Sequence, residues 1–148
     1  ISKKISLPGK AERPKLMKDH PLTAIFMDTS ATRISYFYTF GQVVNSFLSE
    51  GKVFKTRFFN FDDQVREVTS SRIFVGCGTR FDIIENKCLE LEKEYGRYPD
   101  CVVVITDGAG TKVSPKAASK WIWLLTKEHT LNLIPSKCRH FLISDVTF

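Results

Sequence analysis

Three oxygen-bearing side chains, Asp28, Ser30 and Thr32, follow one another at a spacing of two, directly after the apolar run of residues 22–27. Alternate residues of an extended chain project to the same side, so one carboxylate and two hydroxyls could converge on a point just past the end of a strand. Hard oxygen donors of this kind suit a hard divalent cation. A second carboxylate, Asp107, closes a second apolar run at residues 100–106 and is followed by Gly108.

The elements that must carry these residues are legible from periodicity. Residues 22–27 form a short apolar run, and residues 100–106 enclose another between Asp100 and Thr106, the pattern of strands buried on both faces. Residues 53–61 are β-branched and aromatic and predict another strand. Residues 65–74 alternate weakly around polar positions, as an edge strand does. Residues 121–126 and 141–146 complete the strand set, with Trp121 and Trp123 expected to pack one on each face of the sheet. Tyr36, Phe37, Phe40, Val43, Val44, Phe47 and Leu48 recur at helical spacing over residues 35–50. Gly78-Thr79 opens a second helical pattern, Phe81, Ile84, Cys88, Leu91 and Tyr95, which stops at Gly96. Alternating strands and helices predict an α/β fold, a Rossmann-like three-layer sandwich with a mostly parallel central sheet and one antiparallel edge strand. Ligands in such sheets bind beyond the carboxyl ends of the strands, where strand order reverses, and Asp28 and Asp107 each stand at such an end.

The chain has 148 residues and a formal charge of +6. Residues 1–20 contribute Lys3, Lys4, Lys10, Arg13, Lys15 and Lys18 against Glu12 and Asp19, hence +4 of that total. This stretch lacks periodicity and reads as a basic arm over residues 1–19, ahead of one folded domain over 20–148. The arm could attract nucleic acid or an acidic partner, although no aromatic stacking residue is interleaved in it. Cys77, Cys88, Cys101 and Cys138 form no CxxC pair and are expected to be reduced thiols. No apolar run approaches the roughly 18 residues that span a bilayer and no signal-peptide pattern is present, so a cytoplasmic protein is expected. His20, His129 and His140 show no ligand spacing.

Asp28-Thr-Ser30-Ala-Thr32, Gly78-Thr79 and Thr106-Asp107-Gly108, in this order, resemble the motifs of the von Willebrand factor A-type domain and its metal-ion-dependent adhesion site. The resemblance covers about residues 20–148 and is nearest to small intracellular bacterial and phage-type members. It implies magnesium or manganese at the crest of the sheet. Ser30, Thr32 and Thr79 would be direct ligands, with Asp28 and Asp107 acting through water and hydrogen bonds. It also implies a non-catalytic protein-binding module that docks an acidic residue of a partner through the cation, by analogy beside an AAA+ ATPase. Two departures stand out: Thr32 where the family usually has serine, and Ala31 where glycine is common. Only about fourteen residues separate Asp107 from Trp121, so a crossover helix there should be shortened or lost.

The same residues also fit simpler roles. Ser30 and Thr32 suit the cap of the helix over 35–50, Thr79 with Asp82 suits a capping box, and Asp107-Gly108 is a turn dipeptide. Two other functions remain alternatives: a metal-free scaffold of the same family, and a haloacid-dehalogenase-like phosphotransferase with Asp28 as nucleophile. The second would need a general acid two residues on, where this chain has Ser30. Lys112 and Lys116, near the expected crest, could attract an acidic partner.

Overall fold

A computed structural model describes residues 5–6, 21–29, 55–69 and 78–147. Its strands are β1 (Ile5–Ser6), β2 (Leu22–Asp28), β3 (Lys55–Phe61), β4 (Val65–Glu67), β5 (Cys101–Thr106), β6 (Trp121–Leu125), β7 (Arg139–Leu142) and β8 (Val146–Thr147). One helix, α1 (Asp82–Tyr95), lies between β4 and β5. β1 and β8 form a separate parallel pair; the other strands make one mixed sheet in the order β4-β3-β2-β5-β6-β7. Every neighbouring pair of that sheet is parallel except β3–β4.

β2 is the hinge of this order. The chain runs from β2 outward to β3 and β4 on one side, then returns to place β5, β6 and β7 on the other. Strand order therefore reverses between β2 and β5, and the carboxyl ends of these two strands flank the switch point. In register Met27 lies opposite Ile105, so Asp28 and Thr106 come next, side by side.

Both faces of the sheet are buried, which is why β2, β5 and β6 read as largely apolar runs. One face gathers Phe26, Phe59, Phe61, Val102, Val104, Trp121 and Trp123. There Phe26 stacks on Phe59 at 4.9 Å, and Phe81 meets Trp123 edge to face at 4.9 Å. Helix α1 covers this face with Ile84, Cys88 and Leu91, at the three- and four-residue steps seen in the sequence. Each fully buried aliphatic side chain of this kind is worth about 1.5–3 kcal/mol. The helix ends on Gly96 in the left-handed conformation (φ 76°). The other face gathers Ile25, Met27, Phe58, Val103, Ile105, Ile122 and Leu124, with Phe141 and Ile143 against its edge.

Several expectations are corrected. The Rossmann-like three-layer α/β sandwich is not what forms: among the described residues the six strands of the main sheet are accompanied by a single helix longer than a turn. The von Willebrand factor A resemblance, which requires helical layers, falls with it. Between β5 and β6 the connection holds only a 3₁₀ turn, Ala118–Lys120, because so short a crossover has no room for a helix that also packs back on the sheet. The helix expected over 35–50 and the end of the edge strand expected over 65–74 lie outside the described residues. Trp121 and Trp123, two apart on one strand, share a face and sit 5.9 Å apart; they do not divide between the two faces. No helix among the described residues is long and apolar enough to cross a membrane.

Candidate functional site: the crest at the switch point

Asp28, the last residue of β2, is completely buried. Its Oδ2 accepts a 2.7 Å hydrogen bond from the hydroxyl of Thr106 across the β2–β5 seam. Its Oδ1 accepts a longer one, 3.5 Å, from the hydroxyl of Thr79. Thr106 Oγ1 in turn accepts the Gly108 N–H at 3.2 Å. The buried carboxylate therefore ties the end of the central strand to the loop after β5 and to the segment that enters α1. Beside it, the N–H and hydroxyl of Thr29 both donate to the carbonyl of Phe61, closing the β2–β3 seam.

The loop after β5 is fixed at further points. Asp107 Oδ1 accepts the Ala109 N–H at 3.0 Å, and the Asp107 carbonyl accepts the Thr130 N–H at 2.9 Å. Gly108 has φ 84°, and a Cβ there would stand 2.1 Å from the carbonyl oxygen of Thr130. A Cβ on Gly110 would stand 2.7 Å from the ring of Phe81. Thr111 Oγ1 accepts the Phe81 N–H and donates to Asp82 Oδ1, both at 3.0 Å. It is thus Thr111, thirty positions away, that satisfies the start of α1. Neither Thr79 nor a Thr79–Asp82 box does so, since the helix begins at Asp82 without a side-chain cap from Phe81.

Two arginines balance acids at the rim. Arg80 reaches Asp82 at 2.6 Å, and this partner holds the Asp82 carboxyl below its ordinary range. Burial tends to raise the Asp62 carboxyl, but hydrogen bonds from the Gln64 N–H and from Arg66 outweigh it and bring it below its ordinary value.

The cation reading is overturned here. Among the described residues no group of three or more His, Cys, Asp or Glu side chains could hold a metal ion. Asp28 and Thr79 come together, but the hydroxyls of Thr79 and Thr106 spend their protons on the Asp28 carboxylate. Asp107 lies one residue beyond Thr106 and uses an oxygen to close its own turn. Ser30 and Thr32 lie outside the described residues. Magnesium or manganese, the adhesion-site ligand set and docking of a partner carboxylate through the ion are therefore withdrawn.

Sequence reasoning named Thr106 only as part of the Thr106-Asp107-Gly108 motif, without a role, and passed over Thr111 and Arg80 as contributors to this crest. Thr106 could have been found, since its register neighbour is Asp28; the role of Thr111 depends on a contact between distant segments. Lys116, expected near the crest, instead pairs with Glu92 of α1 at 2.7 Å, whereas Lys112 is exposed on the crest loop.

A second polar cluster lies under the helix. The Tyr98 hydroxyl donates to Glu85 Oε1 at 2.6 Å and accepts Trp121 Nε1–H at 2.8 Å, while the Lys116 N–H donates to Glu85 Oε2 at 3.1 Å. Every atom of this buried network finds a partner within it, so it reads as a brace between α1, β6 and the β5–β6 loop.

No family model matches the chain, and comparison with curated proteins gives no match. Over the described stretches 21–29, 55–69 and 78–147 the sequence carries thirteen Lys and Arg and thirteen Asp and Glu. The whole excess of +6 therefore belongs to the other segments, chiefly residues 1–20.

Proposed function

We propose that this chain is a non-catalytic protein-binding module whose contact surface is the loop after β5, residues 107–112, at the switch point of the sheet. One observation carries the reading: the loop is held from beneath by Asp28, Thr106, Phe81 and Thr130, while Ala109, Gly110, Thr111 and Lys112 are exposed. A loop already fixed in one shape loses little entropy on binding, which favours recognition. Asp107 and Lys112 bracket it as polar handles, with small residues between them that let a partner approach closely. A phosphotransferase role for Asp28 finds no support, because a nucleophilic carboxylate needs open approach and Asp28 is fully covered.

The test is site-specific photocrosslinking in cells from position 109, with position 89 on the exposed side of α1 as control. A protein captured at 109 and not at 89 is then purified and its affinity measured for the wild type and for Asp107→Ala/Lys112→Ala. Loss of binding in that variant is the expected result. Equal capture at both positions, or undiminished binding by the variant, rejects the reading.

The charge distribution favours a second reading, in which polyanion attraction resides in the basic segment and not in the neutral body. Retention on a heparin column should then depend on residues 1–19 and fall steeply with salt. Retention unchanged by their deletion would count against it.

A further inference from the structure

Among the described residues the main sheet ends on β7, a four-residue strand whose side chains are largely exposed. Register with β6 sets Arg139 opposite Ile122 and Leu142 opposite Leu125. Phe141 packs against the face that holds Ile122 and Leu124. Arg139, two residues earlier, stands on that same face, and His140 and Leu142 on the other. Leu142 is 39% exposed. Lys120 stands immediately before β6 and Lys137 two residues before Arg139, and all three cations are exposed. Among the described residues none of the three enters an ion pair, unlike Arg57, Arg66, Arg80 and Lys116.

An edge strand offers a row of backbone donors and acceptors to an incoming strand. Charges of one sign along it choose the partner. A second copy of β7 added parallel and in register would set Arg139 and Lys137 against their own kind, which costs stability when like charges lie opposite each other. An acidic strand would be drawn in.

We propose that β7 is a docking edge for an extended acidic segment of a partner protein, added as a further strand, with acidic side chains on the Arg139 side and apolar ones beside Leu142. This surface lies on the outer strand of the sheet and is separate from the crest loop.

The test uses two synthetic peptides, one alternating Glu and Val and the other alternating Lys and Val, with the full chain. Affinity is read by fluorescence anisotropy, and amide hydrogen exchange is followed by NMR. The Glu–Val peptide should bind, weaken with added salt, and slow exchange at residues 139–142, while the Lys–Val peptide should not bind. Lys137→Glu/Arg139→Glu should weaken the Glu–Val peptide by about tenfold or more and gain affinity for the Lys–Val peptide. Lys120→Glu, further from the strand, should do the same to a smaller degree. All three residues are exposed, and circular dichroism checks that each variant folds. Equal affinity for the two peptides, no protection at 139–142, or protection at residues 107–112 instead would each overturn the proposal.

Discussion

Replacing Gly108 by alanine tests whether the crest loop is held as tightly as its contacts require. Three terms add. Gly108 has φ 84°, and a side chain in left-handed backbone costs about 1–2 kcal/mol. The new Cβ would lie 2.1 Å from the Thr130 carbonyl oxygen, a backbone atom that yields only if the 126–131 turn shifts, and overpacking of that kind costs about 1–3 kcal/mol. Such a shift loosens the 2.9 Å bond from the Thr130 N–H to the Asp107 carbonyl, worth about 0.5–1.5 kcal/mol. Reduced freedom of the unfolded chain returns about 0.4–1 kcal/mol, leaving a net loss of about 2–6 kcal/mol. Gly96 and Gly78 are internal controls: they have φ 76° and 79°, and among the described residues nothing lies within 4 Å of a Cβ built on either. Gly96→Ala and Gly78→Ala therefore incur only the conformational term. Urea unfolding of the three variants gives the difference directly, provided the m-values agree. If Gly108→Ala loses no more stability than Gly96→Ala, the Thr130 carbonyl does not press on Gly108 and the crest loop is not held rigid from beneath.

Thr106→Val should destabilise by roughly 2–3 kcal/mol in thermal unfolding, since it removes a hydrogen bond to a buried carboxylate and the acceptor of the Gly108 N–H; Thr106→Ser should restore most of it. Tyr98→Phe leaves the Trp121 indole N–H and one Glu85 oxygen without the Tyr98 partner, for a loss of about 1–3 kcal/mol. That loss should appear as faster amide exchange in α1 before it appears at β2. The pH dependence follows from Asp62 and Asp82, both held below their ordinary values in the folded state. A carboxyl lowered in this way binds fewer protons folded than unfolded, so its contribution is present at neutral pH and lost as pH falls through the carboxylate range. Asp62→Asn should flatten that acid limb in a urea–pH series, and a limb as steep as in the wild type would show that Asp62 does not contribute to it.

How much of this was legible beforehand depends on where each residue finds its partner. The strands at 22–28, 101–106 and 121–125 announce themselves because burial on both faces leaves Thr23 as the one polar residue inside the runs, with Asp28 and Thr106 at their ends. Helix α1 is equally plain, with its stripe from Phe81 to Leu91 and its stop at Gly96. The last strand was expected at 141–146, but pairing with β6 begins at Arg139 and ends at Leu142; an exposed edge strand has no apolar pattern to mark its limits. Glu85 carries a signal that charge obscured, since it lies three residues before Cys88 on the buried side of the helix, where an acid must have a partner. That partner, Tyr98, is close in sequence, but the Trp121 that completes the network is not.

The cation reading failed for a reason rooted in the chemistry of Asp28 itself. A carboxylate at a strand end with hydroxyls nearby is the composition both of a metal site and of an internal brace. Residue types cannot separate the two; the direction of the hydroxyl protons can. Ligands to a cation must turn their lone pairs towards one shared point. Here the Thr79 and Thr106 hydroxyls turn their protons towards Asp28, and Thr106 uses a lone pair to hold the Gly108 N–H. Strand order then explains why the brace sits where it does. At the switch point the ends of β2 and β5 lie side by side, and side chains close the seam between them. A single buried carboxylate with two hydroxyl donors closes it, and the loop it supports is left outside as a surface of fixed shape.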